Sequence, residues 1–142
     1  MREILFRGKA NSEAREGEWV FGSLLAESEN TFPIIARDYD NDEDWISVNE
    51  WDTVEPQTVG QYTGLTDKNG KKIFEGDVVS GLFLHSSPVN GVVAFRDGSF
   101  GLLWSRSGVE TFWAFTSICN VEYEVIGNIH DNPELLKGGG EG

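Results

Sequence analysis

The chain opens with Ile4 and Phe6 two positions apart and charged residues beside them, the spacing of a strand with one buried face across residues 2–7, although Leu5 interrupts strict alternation. Residues 11–18 are polar and contain Gly17, which suits a turn. The apolar run Trp19-Val20-Phe21-Gly22-Ser23-Leu24-Leu25 then predicts a second strand, hairpinned to the first. Residues 32–36 predict a third short strand, which Pro33, lacking an amide proton, pushes toward a sheet edge or a strand start. Residues 38–44 carry carboxylates so densely that burial would require pairing each one, so an exposed loop is expected there, followed by an extended segment at 45–48.

Two hairpins are marked more sharply. Asp67-Lys68-Asn69-Gly70 ends in two residues that tolerate positive φ, with strands expected at 61–65 and 71–74. Asp97-Gly98 separates 91–95 from 99–104 in the same way. Val78-Val79, residues 109–115 and residues 121–126 complete the strand set. Short strands at a spacing of about ten residues suggest a small barrel or sandwich. The expected architecture is all-β: one domain over 1–137, with an SH3-like barrel core at 55–130 and the N-terminal strands of 1–54 packed against it. Asn132-Pro133-Glu134 reads as a capped helical turn over 132–137, and 138–142 as a flexible glycine-rich tail.

Composition sharpens this picture in three places. Seventeen Gly against four Pro, among many β-branched and aromatic residues, favour strands and tight turns over long helices. A formal charge of -13 repels phosphate backbones, which disfavours direct nucleic-acid binding and would attract a basic protein surface. Cys119 is the single cysteine, so an intramolecular disulfide and a multi-cysteine zinc cluster are excluded and a reducing compartment is expected. No apolar run approaches the roughly 20 residues that span a bilayer, and the expected location is the host cytoplasm.

The stretch Val54-Glu55-Pro56-Gln57-Thr58-Val59-Gly60-Gln61-Tyr62-Thr63-Gly64-Leu65-Thr66-Asp67-Lys68-Asn69-Gly70-Lys71-Lys72-Ile73-Phe74-Glu75-Gly76-Asp77-Val78-Val79 resembles the signature of the YopX family of phage and prophage proteins. Residues 91–102, the block Glu124-Val125-Ile126-Gly127-Asn128-Ile129-His130-Asp131-Asn132-Pro133-Glu134-Leu135-Leu136 and the opening residues 2–7 match in the same order, so the resemblance spans nearly the whole chain. Residues 12–51 look individual to this chain. The resemblance implies a β-rich fold and a mobile-element origin, and it carries over no catalytic residue.

Asp38-x-Asp40-x-Asp42 matches the first three ligand positions of a calcium loop, whose alternating carboxylates converge on a hard cation. The pattern then stops: Glu43 stands where glycine permits the sharp turn, and Asn49 where a bidentate glutamate closes the site. No metal or cofactor is therefore expected. His85 reads as a loop residue, His130 as a neighbour of the helical cap, and Cys119 as a small buried hydrophobe. Trp104, Phe112, Trp113 and Phe115 could stack on bases, but Arg106 is the one basic residue near them and the electrostatic attraction is missing.

These observations predict a non-enzymatic accessory protein that binds a host or phage protein. Its candidate surfaces are the carboxylates of Asp38, Asp40, Asp42 and Asp44, and an edge at Gln61 and Thr63 beside the first hairpin. The competing reading of the second surface is scaffold: glycines at turns, with Tyr62, Leu65, Ile73, Phe74, Val78 and Val79 as core. In one alternative the acidic residues imitate phosphates and occupy a host nucleic-acid-binding protein. In another the chain is an enzyme or small-ligand binder whose site joins His85, His130 and carboxylates from distant positions. Exposed edge strands also permit homo-oligomers.

Overall fold

The computed structural model describes residues 3–25, 31–82, 89–106, 108–115 and 122–139. They form antiparallel strands and one short helix, as expected of an all-β chain, and divide into two compact units, Met1–Tyr62 and Thr63–Gly142. No helix among the described residues is long and apolar enough to cross a membrane.

In the first unit β1 (Phe6–Lys9), β2 (Trp19–Leu25), β3 (Ile34–Asn41) and β4 (Ile46–Thr53) pair consecutively, and β5 (Gly60–Thr66) joins the other side of β1 through its first residues. The β1–β2 hairpin is as expected, but β1 starts later. Ile4 lies before the strand and is 63% exposed, whereas Arg7 is buried. The ladder explains this: Phe6 and Gly8 face the same way as Val20, into a core of Ala10, Val20, Ile35 and Val54, while Arg7 points to the opposite face and covers the Trp19 ring at 4.6 Å. Gly8 is required here, since a Cβ on it would lie 2.9 Å from Val54.

Of the two places expected for Pro33, a sheet edge or a strand start, the structure shows the second: β3 is an interior strand between β2 and β4, and Pro33 immediately precedes it, its carbonyl accepting the Val54 amide at 3.0 Å. The acidic-loop expectation is corrected. Half of the expected acidic loop is strand: Asp38 to Asn41 pair with Ile46 to Glu50, and the turn is confined to residues 42–45. Exposure hydrates the carboxylates, so strand geometry costs them no desolvation. Past Thr53 the chain returns to the end of β1. Asn11 N donates to Thr53 O (3.1 Å), Glu55 N to Lys9 O (2.9 Å), and Ala10 bridges Val54, so the sheet curls around its core until β4 meets β1.

The second unit holds the end of β5, β6 (Lys72–Phe74), β7 (Asp77–Leu82), β8 (Val89–Arg96), β9 (Ser99–Arg106), β10 (Val109–Ala114), β11 (Glu122–Asn128) and α1 (Glu134–Gly139). Its five-stranded sheet runs β10-β9-β8-β7-β11 around Ile73, Val79, Val93 and Leu102. Both predicted hairpins form. Asp97 and Gly98 take positive φ, 51° and 81°, as a two-residue reversal with matching twist requires. The closed SH3-like barrel expected of residues 55–130 does not follow from these ladders, which leave β10 and β11 at the two ends of the sheet. The helix runs on to Gly139, through the first residues of the expected tail.

The Asp67–Gly70 turn is held differently from expectation. Among the described residues of this turn Gly70 alone has positive φ, 82°, and the Asp67 carboxylate does the rest. Its Oδ1 accepts the amides of Asn69 and Lys71, each at 2.9 Å, and its Oδ2 accepts the Val125 amide of β11 at 3.0 Å. Lys68 N donates to Tyr123 O at 2.9 Å, so the turn is pinned to β11 at two points. The C-terminal block closes on itself comparably: Asn128 Oδ1 accepts the amides of His130 and Asp131, while Asn132 Oδ1 accepts the Asn128 amide. Asn132 thus turns its side chain back to Asn128, in place of the helix cap expected of it.

Candidate functional site

Beyond residue 36 the β3–β4 hairpin has two different faces, and a pair of bulges creates them. Ala36 pairs with Trp51, Asp38 with Glu50 and Tyr39 with Val48, so each strand carries one extra residue between the first pair and the last. An extra residue reverses which way the following side chains point. Tyr39, Asn41, Ile46 and Val48 are thereby set on the face already occupied by Ser23, Leu25 and Ala36, and these seven residues line a groove of about 190 Å³. Around it stand large apolar side chains left in solvent: Trp51 at 53% exposure, Ile46 at 59%, Tyr39 at 45%, Phe21 at 46%, and Trp45 at the hairpin tip at 68%.

The opposite face is acidic. Asn49 Nδ2 donates to Asp40 Oδ2 at 3.1 Å and to Asp38 Oδ2 at 3.4 Å, bringing two of the four candidate aspartates together on a neutral amide. Asp42 accepts the Glu43 amide at 2.7 Å in the turn, next to Asp44. Among the described residues no salt bridge reaches Asp38, Asp40, Asp42, Glu43 or Asp44, whereas Glu50 and Asp52 are held by Arg37 at 3.1 and 2.7 Å. Arg15 adds a second cation to Asp52 at 3.6 Å. Asp52 therefore belongs to the scaffold, and the distal carboxylates remain a solvated anionic surface.

The second candidate surface lies on β5. Gln61 is half-buried and pairs with Phe6 in the β1–β5 ladder, while Thr63 is 9% exposed. The Thr63 hydroxyl donates to Ile73 O at 2.9 Å and accepts the Leu65 amide at 3.2 Å, so it ties β5 to β6. Tyr62, Ile73, Phe74, Val78 and Val79 are core as the scaffold reading requires, and Leu65 is exposed. The polar residues of this block are also structural. Thr58 Oγ1 accepts the Lys9 amide at 2.8 Å, and Asp77 Oδ2 accepts the Phe74 amide at 2.8 Å. Burial raises the Asp67 carboxyl, but the amides of Val125, Lys71 and Asn69 and the Lys71 charge more than offset it, holding it below its ordinary 3.8.

Among the described residues no group of three or more His, Cys, Asp or Glu is placed to hold a metal ion. His85 and Cys119 lie outside the described residues, and His130 is half-buried in the Asn128 loop. Trp104 and Trp113 contact edge to face at 5.6 Å across β9 and β10, and Phe115 packs on Tyr123 in the core, so these aromatics make no parallel platform for bases. The groove residues Leu25, Tyr39, Ile46 and Val48 were not singled out from sequence. A signal for them was present in the alternation Asp38-Tyr39-Asp40-Asn41 opposite Ile46-Ser47-Val48-Asn49, which is period two.

The crystal structure of protein EF1440 from Enterococcus faecalis is similar to this chain, with a TM-score of 0.62, 27% identity, and coverage of 96% of this chain and 99% of that one. No curated protein matches it significantly. The family model described as YopX protein matches residues 6–137, from β1 into α1. That span contains the Asp67 turn and the Asn128 loop of the second unit, and the chain belongs to the YopX family.

Proposed function

We propose that this protein is a non-enzymatic accessory protein of a phage or prophage that acts in the host cytoplasm by binding another protein, with the β3–β4 hairpin as its contact surface. The supporting observation is the combination of exposed Tyr39, Trp45, Ile46 and Trp51 with the carboxylates of Asp38, Asp40, Asp42 and Asp44 on the same hairpin, which no salt bridge among the described residues reaches. Aromatic side chains are the commonest anchors of protein interfaces, and a charged rim steers encounter with a partner of opposite sign.

Affinity capture from host lysate at low salt tests the reading, comparing the wild type with a variant carrying Asp38→Asn, Asp40→Asn, Asp42→Asn and Asp44→Asn. A protein retained by the wild type and lost by the variant is the expected result. Equal capture by both, or by neither, would overturn it. Release of the captured protein by added DNA identifies the acidic face as a nucleic-acid mimic.

A further inference from the structure

β4 ends the strand order of its sheet, so alternate amides and carbonyls of its outer side have no ladder partner among the described residues until Thr53, whose carbonyl takes the Asn11 amide. Natural edge strands are commonly blunted by Lys, Pro or a bulge; Ile46–Thr53 contains neither Lys nor Pro, and its one extra residue, Asn49, lies past the regular stretch Ile46–Val48. A strand laid beside β4 would continue the pleat, with successive side chains falling on opposite faces. One set would lie beside Ile46 and Val48 at the rim of the groove; the other would lie beside Ser47 and Asn49, across which a long cationic side chain reaches toward Asp38 and Asp40 of β3.

Resting on the protein-binding reading above, we propose that the partner presents an extended segment in which apolar and cationic side chains alternate, and that this segment adds to β4 as a further strand. Charge selects this occupant. Residues 38–44 hold five carboxylates, Asp38, Asp40, Asp42, Glu43 and Asp44, that no salt bridge among the described residues reaches, while Glu50 is held by Arg37. A second copy of the chain on the same edge would oppose these carboxylates to an identical set, so the acidic residues act against self-pairing while attracting a basic strand.

The test uses the full chain and three synthetic peptides in isothermal titration: alternating Val and Lys, the same composition in two blocks, and the alternating peptide N-methylated at every second amide. The alternating peptide should bind at least about tenfold more tightly than either control, and more weakly as salt rises. The D38N/D40N variant should lose about tenfold in affinity for it with an unchanged thermal melt. Block or N-methylated peptides binding as tightly as the alternating one, or no peptide binding, would refute strand addition. If host-protein capture still depends on Asp38 to Asp44 in that event, strand addition alone fails; if capture is absent as well, both readings fail.

Discussion

Asp67 is 7% exposed and its carboxylate accepts three backbone amides, two from its own turn and one from Val125, 58 residues further on. Substitution by Ala strands all three donors. Asn69 and Lys71 are exposed, so water replaces the lost acceptor there at about 0.5 kcal/mol each, while the part-buried Val125 amide loses about 2 kcal/mol, giving roughly 3 kcal/mol in total. For a unit of this size that corresponds to about 10 °C or more in Tm. Asp67→Asn keeps one carbonyl oxygen for the turn but sets an NH2 against the Val125 amide, at a cost of about 2 kcal/mol. Because the folded pKa lies below 3.8, the carboxylate's contribution is fully present above 3.8 and is lost as pH falls through the folded value. The gap between wild type and Asp67→Asn should therefore narrow on acidification. Urea unfolding across that pH range, with amide exchange at Val125, measures both effects. An Asp67→Ala variant within about 0.5 kcal/mol of wild type at neutral pH, or a gap independent of pH, would refute the reasoning.

Gly127→Ala should lower stability by about 1–3 kcal/mol and speed exchange at the Asn128 amide, because the new Cβ would lie 2.5 Å from Asn132 Oδ1 and 2.8 Å from Leu135 Cδ1. Asp52→Ala should cost about 2 kcal/mol in urea unfolding, at the low end for a buried ion pair since Arg37 and Arg15 stay partly exposed and can rehydrate. Burial pushes the Tyr123 phenol up from 10.0 to about 12, and its buried hydroxyl has no hydrogen-bond partner among the described residues. Its contribution to stability is present below pH 10 and lost as pH rises through about 12, so alkaline melts should show a limb that Tyr123→Phe weakens, with little change at neutral pH.

The strands and reversals were legible in the residues themselves. Short β-branched and aromatic runs such as 91–95 and 99–104, bounded by turn residues, read as strands, and Asp97-Gly98 sits where a two-residue hairpin needs positive φ. Residues 38–44 misled because charge density speaks to exposure and not to backbone shape: a solvated hairpin exposes carboxylates as well as a loop does. The alternation that identified strand elsewhere was present there too, and it separates the groove residues Tyr39, Ile46 and Val48 from the acidic Asp38 and Asp40.

By itself, then, the amino-acid order determined that the chain is built of short antiparallel strands, where most of them turn, and that its surface is anionic, since each of these depends on neighbours a few residues apart. Tertiary structure decided which carboxylates are tools of the scaffold and which are left to solvent. The turn that Asp67 opens was legible locally, but nothing near Asp67 or Asp52 in sequence announces their distant partners. These two aspartates become structural because Val125, Arg37 and Arg15 arrive from other elements to satisfy them, whereas the hairpin tip extends to where no cation among the described residues pairs with it.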